Sequence, residues 1–266
     1  MKFSVLASGS SGNSIYVESC DGREKVLVDA GLNGKKLAEA MAQIGRCPSQ
    51  LTGILVSHEH RDHAGGVGVV ARRYGIPIYA NAGTWIGMDG VIGEIDSDLK
   101  FEFRTGDVQG LGSSGFEVES FGVSHDAREA MFFTFHSGGK KLAIVTDTGY
   151  VSERVKHVID NADAFVFECN HDVNMLRSGT YPWHLQQRIL GDKGHVSNED
   201  AGITLSEVIG AATRKVFMAH LSRENNYPEL ARMTLEQTLL SRECPVGSQF
   251  FLYDTYPNRA TDLIEI

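Results

Sequence analysis

Several ordinary resources are scarce in this chain, and each shortage narrows what it can be. Only four cysteines occur, Cys20, Cys47, Cys169 and Cys244, widely separated and with no C-x-x-C pair. That spacing argues against a disulfide framework and for free thiols in a reducing compartment. No apolar run approaches the ~20 residues that a membrane-spanning helix requires. The opening stretch, Met1-Lys2-Phe3-Ser4-Val5-Leu6-Ala7-Ser8-Gly9, turns to glycine and serine too soon for a secretory leader. A cytoplasmic address with no membrane partner is expected. There is also no linker-like stretch, no low-complexity run and no repeat. With 266 residues, 42% of them hydrophobic, the chain can bury one large core, and a single domain over residues 1–266 is expected.

Positive charge is short as well: 25 Lys and Arg stand against 34 Asp and Glu, a formal net charge of −9. A protein that coats nucleic acid without selectivity is excluded. Two bound divalent cations would bring the total to −9 + 4 = −5, still acidic. Contact with a nucleic acid therefore has to be local. Arg72-Arg73, Lys140-Lys141, Arg188, Lys193, Arg214-Lys215 and Arg223 are the candidates, most of them expected as solvated surface.

What the chain does have is the loop His58-Glu59-His60-Arg61-Asp62-His63, with three imidazoles and a carboxylate at the spacing H-x-H-x-D-H. Residues two apart in extended chain point the same way, so His58 and His60 share a side while Asp62 and His63 turn from it. Imidazole nitrogen with carboxylate oxygen suits Zn²⁺, and binds Mn²⁺ or Fe²⁺ less tightly. The loop joins the apolar strand Leu51–Val56 to a helical run ending near Tyr74, the position where α/β sheets carry their sites.

Hydrophobic patterning gives strands at residues 2–6, 14–18, 25–29, 51–56 and 77–80, with a helix over 34–44 among them. Further strands follow at 101–103, 116–121, 131–135 and 141–145. The remainder reads as helix 151–159, strand 164–168, helices 182–190 and 198–209, and strands 215–219 and 249–253. Strands followed by helices, twice over, fit an α+β fold of two packed mixed sheets flanked by helices. Three of these strands end in a lone ligand type: His125 after Val123-Ser124, Asp147 after Ile144-Val145-Thr146, and His220 after Phe217-Met218-Ala219. A site assembled from strand tips has this pattern.

Taken in order, Asp29 in Val28-Asp29-Ala30-Gly31, the H-x-H-x-D-H loop, His125, Asp147 and His220 resemble the five motifs of the metallo-β-lactamase fold superfamily. The resemblance implies an αββα sandwich holding two divalent metal ions, Zn or Mn. It assigns His58, His60 and His125 to one ion and Asp62, His63 and His220 to the other. Asp147 bridges them, Asp62 and Asp147 take part in catalysis, and Asp29 orients ligands without binding metal. Superfamily members hydrolyse lactams, thioesters and phosphodiesters, so the fold alone names no substrate. A bridging aspartate, rather than the cysteine of lactamase-like sites, favours phosphodiester chemistry.

Gly194-His195-Val196-Ser197 and Ala219-His220-Leu221-Ser222-Arg223 resemble segments of the tRNA-processing endonuclease branch, which makes His195 the candidate general acid. Ala219 replaces a threonine of that pattern, and Glu224-Asn225-Asn226 replaces its tyrosine segment. Over nearly the whole chain the resemblance is to the YycJ/WalJ group. It rests on Ala7-Ser8-Gly9-Ser10-Ser11-Gly12-Asn13 and on Cys169-Asn170-His171-Asp172 through Tyr181-Pro182-Trp183-His184-Leu185, with Cys169 where serine is expected. That group implies a 5′→3′ exonuclease of double-stranded DNA with a part in repair. Substrate contacts are expected from Ser197 and Asn198 at a helix start, from His171, and from Asn13 in the glycine-rich loop. Trp183 and Tyr181 could stack a terminal base, but core packing is the favoured expectation. The competing readings are a hydrolase of small cyclic phosphodiesters or other small esters, and a metal-holding regulator without turnover.

Overall fold

Strand-forming sequence opens each half of the chain, and the structure, a computed structural model, describes residues 1–112 and 115–266. The first half contains β1 (Lys2–Ala7), β2 (Ser14–Glu18), β3 (Lys25–Val28), α1 (Gly34–Gln43) and β4 (Gly53–Leu55). It continues with α2 (Arg61–Ala64), α3 (Val67–Tyr74), β5 (Ile78–Ala80), α4 (Ala82–Met88) and β6 (Lys100–Glu102). The second half begins with β7 (Val108–Leu111), β8 (Phe116–Gly122), β9 (Met131–Ser137), β10 (Lys140–Val145), α5 (Glu153–Ile159) and β11 (Ala164–Glu168). Then come α6 (Val173–Ser178), α7 (Trp183–Leu190), α8 (Asn198–Val208), β12 (Lys215–Ala219), α9 (Pro228–Ser241), β13 (Phe251–Asp254) and β14 (Ile264–Glu265).

Among the described residues the strands form two seven-stranded sheets, ordered β14-β1-β2-β3-β4-β5-β6 and β13-β12-β11-β10-β9-β8-β7. Each is mixed. β1, β2 and β3 pair antiparallel while β3 to β6 run parallel; β7 to β10 are antiparallel while β10 to β13 are parallel. Period-two alternation explains the layering. Val26 and Val28 face the second sheet, packing with Phe133, Phe135 and Phe165, whereas Leu27 faces the outer helices with Leu37, Met41 and Val70. Tyr16 and Ile54 likewise point outward and are still fully buried. Both faces of this sheet are therefore covered, giving the αββα sandwich. Each fully buried phenylalanine contributes about 1.5–3 kcal/mol of transfer free energy.

Parallel strands aim their carboxyl ends at one rim, and the loops there carry the chemistry. Asp29 follows β3, His58 to His63 follow β4, Asp147 follows β10, and His220 follows β12. Asp29, Asp147 and His220 all take left-handed backbone, with φ of 61°, 50° and 56°. Non-glycine residues pay for that conformation, and a strained turn at three strand ends marks a functional rim. Gly31 serves the same rim by its lack of a side chain. A Cβ there would come within 1.7 Å of the Asp62 carbonyl, so only glycine lets the two loops meet.

The helical run after His63 is split. Asp62 and His63 lie inside the short α2, and Gly65-Gly66 separate it from α3 because Gly66 packs against the Leu32 carbonyl. The sequence patterning did not show α9, the longest helix. Its apolar residues Leu230, Met233, Leu235, Leu239 and Leu240 spread around the axis, and only Ala231, Leu235 and Leu239 are buried. Trp183 is not a core residue; it is 71% exposed at the start of α7. All four cysteines are free. Among the described residues, no helix is long and apolar enough to cross a membrane.

Candidate metal centre

Asp29 begins the construction of the site. Buried after β3, its carboxylate accepts from the Ser57 amide at 2.8 Å, the Ser57 hydroxyl at 2.7 Å and His63 Nδ1 at 2.7 Å. His58 Nδ1 in turn donates to the Ser57 hydroxyl at 2.9 Å. With both Nδ1 atoms engaged, His58 and His63 each present Nε2 to the centre of the rim. One buried carboxylate thus sets the tautomer and angle of two imidazoles.

His58 Nε2 lies 3.1 Å from His60 Nδ1, which lies 3.3 Å from His125 Nε2. Nitrogens on one tetrahedral zinc ion at 2.0–2.1 Å would sit about 3.3–3.4 Å apart, so this triad already has ligand spacing. His125 Nδ1 donates to the Gly194 carbonyl at 3.3 Å, which turns its Nε2 inward. The second group is Asp62, His63 and His220. Asp62 Oδ2 stands 3.6 Å from His63 Nε2 and 3.9 Å from His220 Nε2. Asp147 lies between the two groups, with Oδ2 at 3.2 Å from His63 Nε2 and Oδ1 at 3.9 Å from His125 Nε2.

All seven side chains expected from the sequence as metal ligands therefore converge at one place. Two of their buried atoms, Asp147 Oδ2 and His220 Nε2, have no hydrogen-bond partner among the described residues. Buried polar atoms are almost always satisfied, so these two orphans mark where a cation fits. The charges agree. Burial, reinforced by His63, holds His58 well below the usual imidazole pKa, in the neutral form that binds metal. Burial opposes charge on His220, but Asp147, Asp62 and Glu168 outweigh it and raise its pKa to about 10. Burial also disfavours the Asp147 carboxylate, yet His220 and His63 keep its pKa well below the ordinary carboxylate value. A set of groups that demands positive charge so strongly can hold a cation in place of those protons.

Glu168 was not singled out in the sequence, although it ends the apolar strand Ala164-Phe165-Val166-Phe167 as Asp147 and His220 end theirs. It is fully buried and accepts three N–H bonds: His195 Nδ1 at 2.8 Å, His220 Nδ1 at 2.8 Å and the Thr148 amide at 3.0 Å. Burial would raise its pKa, but His195 and His220 bring it down to about 2. It therefore fixes His220 with Nε2 toward the cluster and His195 with Nε2 toward a cavity. That cavity, about 190 Å³, is lined by His195, His220, Tyr181, Arg188, Lys193 and Ser222 among others. Arg188 is paired with Asp126, whose Oδ1 lies 3.4 Å from His125 Nε2.

The expected substrate contacts are placed differently. Ser197 is buried, and its hydroxyl caps α8 by accepting from the Asp200 amide. Asn198 is buried against Asn226, with Asn198 Nδ2 donating to Asn226 Oδ1 at 3.1 Å. Asn13 turns inward, with Nδ2 at 3.2 Å from Asp62 Oδ2 and 3.0 Å from His63 Nε2, so it braces two of the candidate ligands. His171 is 1% exposed and belongs to none of the ligand clusters. Ser197, Asn198 and Asn13 are thus engaged by neighbouring residues, whereas the buried His171 Nε2 has no hydrogen-bond partner among the described residues. Among the basic candidates, Arg72 bonds the Ile92 carbonyl, Lys140 pairs with Asp163, and Arg214 bonds the Ala211 carbonyl. Arg188, Lys193 and Arg223 line cavities.

His171 carries a stability prediction. Burial lowers its pKa from 6.5 to about 4. The unfolded chain therefore takes up a proton that the folded chain refuses, so stability is intact above pH 6.5 and lost as pH falls toward 4. Urea unfolding of metal-free protein should lose on the order of 2–3 kcal/mol more across that window in the wild type than in His171→Gln. Parallel pH profiles for the two proteins would refute the assignment.

Comparison with known proteins shows the family of the chain. A sequence profile described as the beta-lactamase superfamily domain matches residues 24–220. Over 263 residues, 99% of this chain and 98% of the relative's length, the chain is 52% identical to exodeoxyribonuclease YycJ of Bacillus anthracis. It is 48% identical over 267 residues, 100% of this chain and 98% of the relative, to exodeoxyribonuclease WalJ of Streptococcus pneumoniae. Among solved structures, the metallo-beta-lactamase fold protein YhfI of Bacillus subtilis superposes with a TM-score of 0.71 at 16% identity, with 98% of each chain covered, which shows a shared fold.

Proposed function

Because the chain belongs to the metallo-β-lactamase superfamily and, within it, to the YycJ/WalJ group, we propose that it is a two-metal phosphodiesterase that degrades double-stranded DNA from its 5′ ends. The observation that carries this reading is the pair of ligand groups with Asp147 between them and a Glu168–His195 pair facing the cavity beside them. His58, His60 and His125 would hold one ion, Asp62, His63 and His220 the other, and Asp147 would bridge. The donor set suits Zn²⁺ or Mn²⁺. When bound, such ions supply Lewis acidity toward a phosphate oxygen and lower the pKa of water.

The rest is done by the chain itself. Asp29 and Asn13 keep His63 and Asp62 in place. Glu168 keeps a proton on His195: burial opposes it, but the carboxylate raises the imidazole pKa above its ordinary value. His195 Nε2 then donates that proton to the departing oxygen as the phosphorus–oxygen bond breaks and water's oxygen joins phosphorus. Lys193 supplies positive charge to the cavity where the departing group sits, while Arg188 there is paired with Asp126. An acidic protein with local basic groups at its site fits action at DNA ends better than coating of duplex, and a cytoplasmic role in repair is part of the same proposal.

The test is product analysis. Protein loaded with Mn²⁺ or Zn²⁺ should release mononucleotides from 5′-labelled duplex before label is freed from 3′-labelled duplex. Intact duplex across metals and salt concentrations would overturn the reading, and turnover of cyclic phosphodiesters alone would favour a small-ester hydrolase.

A further inference from the structure

A second cavity, of about 350 Å³, lies next to the one that His195 faces. The two share a partition. Ser10 and Ser222 line the first, while their chain neighbours Ser11 and Arg223 line the second. Both loops of the partition are tied to the ligands: Asn13 contacts Asp62 and His63, and the His220 amide donates to the Ser8 hydroxyl at 2.7 Å. Both loops of the partition thus rest on residues of the candidate metal centre, and the first cavity reaches that centre through His220.

We propose that the second cavity binds the backbone of the DNA strand that remains after cleavage, with Arg223 and Lys36 on its phosphates, while the first cavity holds the single nucleotide that departs. This rests on the nuclease reading above. His195 faces the first cavity, so the departing oxygen lies there and the retained phosphate lies across the divide. The sizes agree: the departing side is the smaller and takes a terminal residue, whereas the larger side admits continuing chain. The charges agree as well. Lys36 and Arg223 face the second cavity, and its carboxylate Glu39 has Lys35 of the same helix 3.9 Å away. Gln43 and Asn258 add neutral donors for backbone oxygens, and Leu6 and Leu32 give an apolar floor for sugars. In a chain of net charge −9, two cations at the mouth of the reaction site are a local attractant for a polyanion.

This arrangement also sets direction. If the smaller side holds the departing residue and the new 5′-phosphate stays with the larger side, digestion runs 5′→3′.

The experiment compares Lys36→Ala, Arg223→Ala and the double variant with wild type, all loaded with Mn²⁺, on 5′-phosphorylated duplex DNA and on bis(p-nitrophenyl) phosphate. The diester is too short to span the divide and reports an intact centre. Each single variant should raise KM for DNA about tenfold with kcat within about twofold, and lower the slope of log affinity against log salt by about 0.9. Arg223→Lys should restore most of the affinity. Unaltered KM and salt slope with active wild type would overturn this proposal alone, as would equal losses on DNA and diester, which indicate a structural role. Wild type that hydrolyses the diester and leaves DNA intact would bring down the nuclease reading, and this proposal with it.

Discussion

Asp147→Ala should lower DNA hydrolysis by at least about 10⁴-fold, the largest effect expected of any single substitution in the chain. Asp147 is the one carboxylate that meets both ligand groups, and its buried Oδ2 is left without a hydrogen-bond partner among the described residues. Removing it takes away the shared negative charge between two cation positions and leaves the buried imidazoles of His63 and His220 facing one another. Metal content measured on the purified variant should fall together with activity. His195→Ala should behave otherwise: metal content is retained, and the loss lies near the lower end of the ~10²–10⁴-fold range of proton-transfer catalysis. Equal losses in the two variants, with metal retained in both, would contradict the division of labour drawn from the geometry.

Glu168→Gln should be the next most damaging change, with kcat falling about 10²–10³-fold. Its carboxylate accepts from both His195 and His220, so the amide loses charge at two imidazoles and brings an N–H group toward one of them. Loss of an orienting partner of a metal-binding histidine commonly costs 10–100-fold, and disabling the general acid adds to it. A readout that a merely structural defect would not give is the pH profile. Glu168 is what raises the His195 pKa against burial, so its removal lowers that pKa, and the alkaline limb of kcat should shift to lower pH. A profile of unchanged shape and reduced height would show that Glu168 only shapes the pocket.

These two predictions also mark where the sequence was easy and hard to read. The H-x-H-x-D-H loop was legible because its ligands lie within six residues, and His125, Asp147 and His220 because each stops an apolar strand. Glu168 stops its strand in the same way, but an acid at the end of Ala164–Glu168 reads equally well as the solvated tip of a strand. Its role depends on His195 and His220, which lie 27 and 52 residues away. Ser197, Asn198 and Asn13 are hard to read for the opposite reason. Residue type announced a polar contact, but whether that contact is substrate or a neighbouring loop is settled by packing. The two sheets were readable from alternating and continuous apolar runs. α9 was not, because it buries a narrow stripe of Ala231, Leu235 and Leu239 and leaves Met233 and Leu240 outside.

Asp29, Asp147 and His220 each make the turn that glycine would make at least cost. Left-handed backbone at such residues carries on the order of 1–3 kcal/mol apiece, which the surrounding structure has to offset. Resistance to heat and competence in cleavage thus pull in opposite directions at the same three positions, and a sturdier chain could be had there only by giving up side chains that the proposed centre needs.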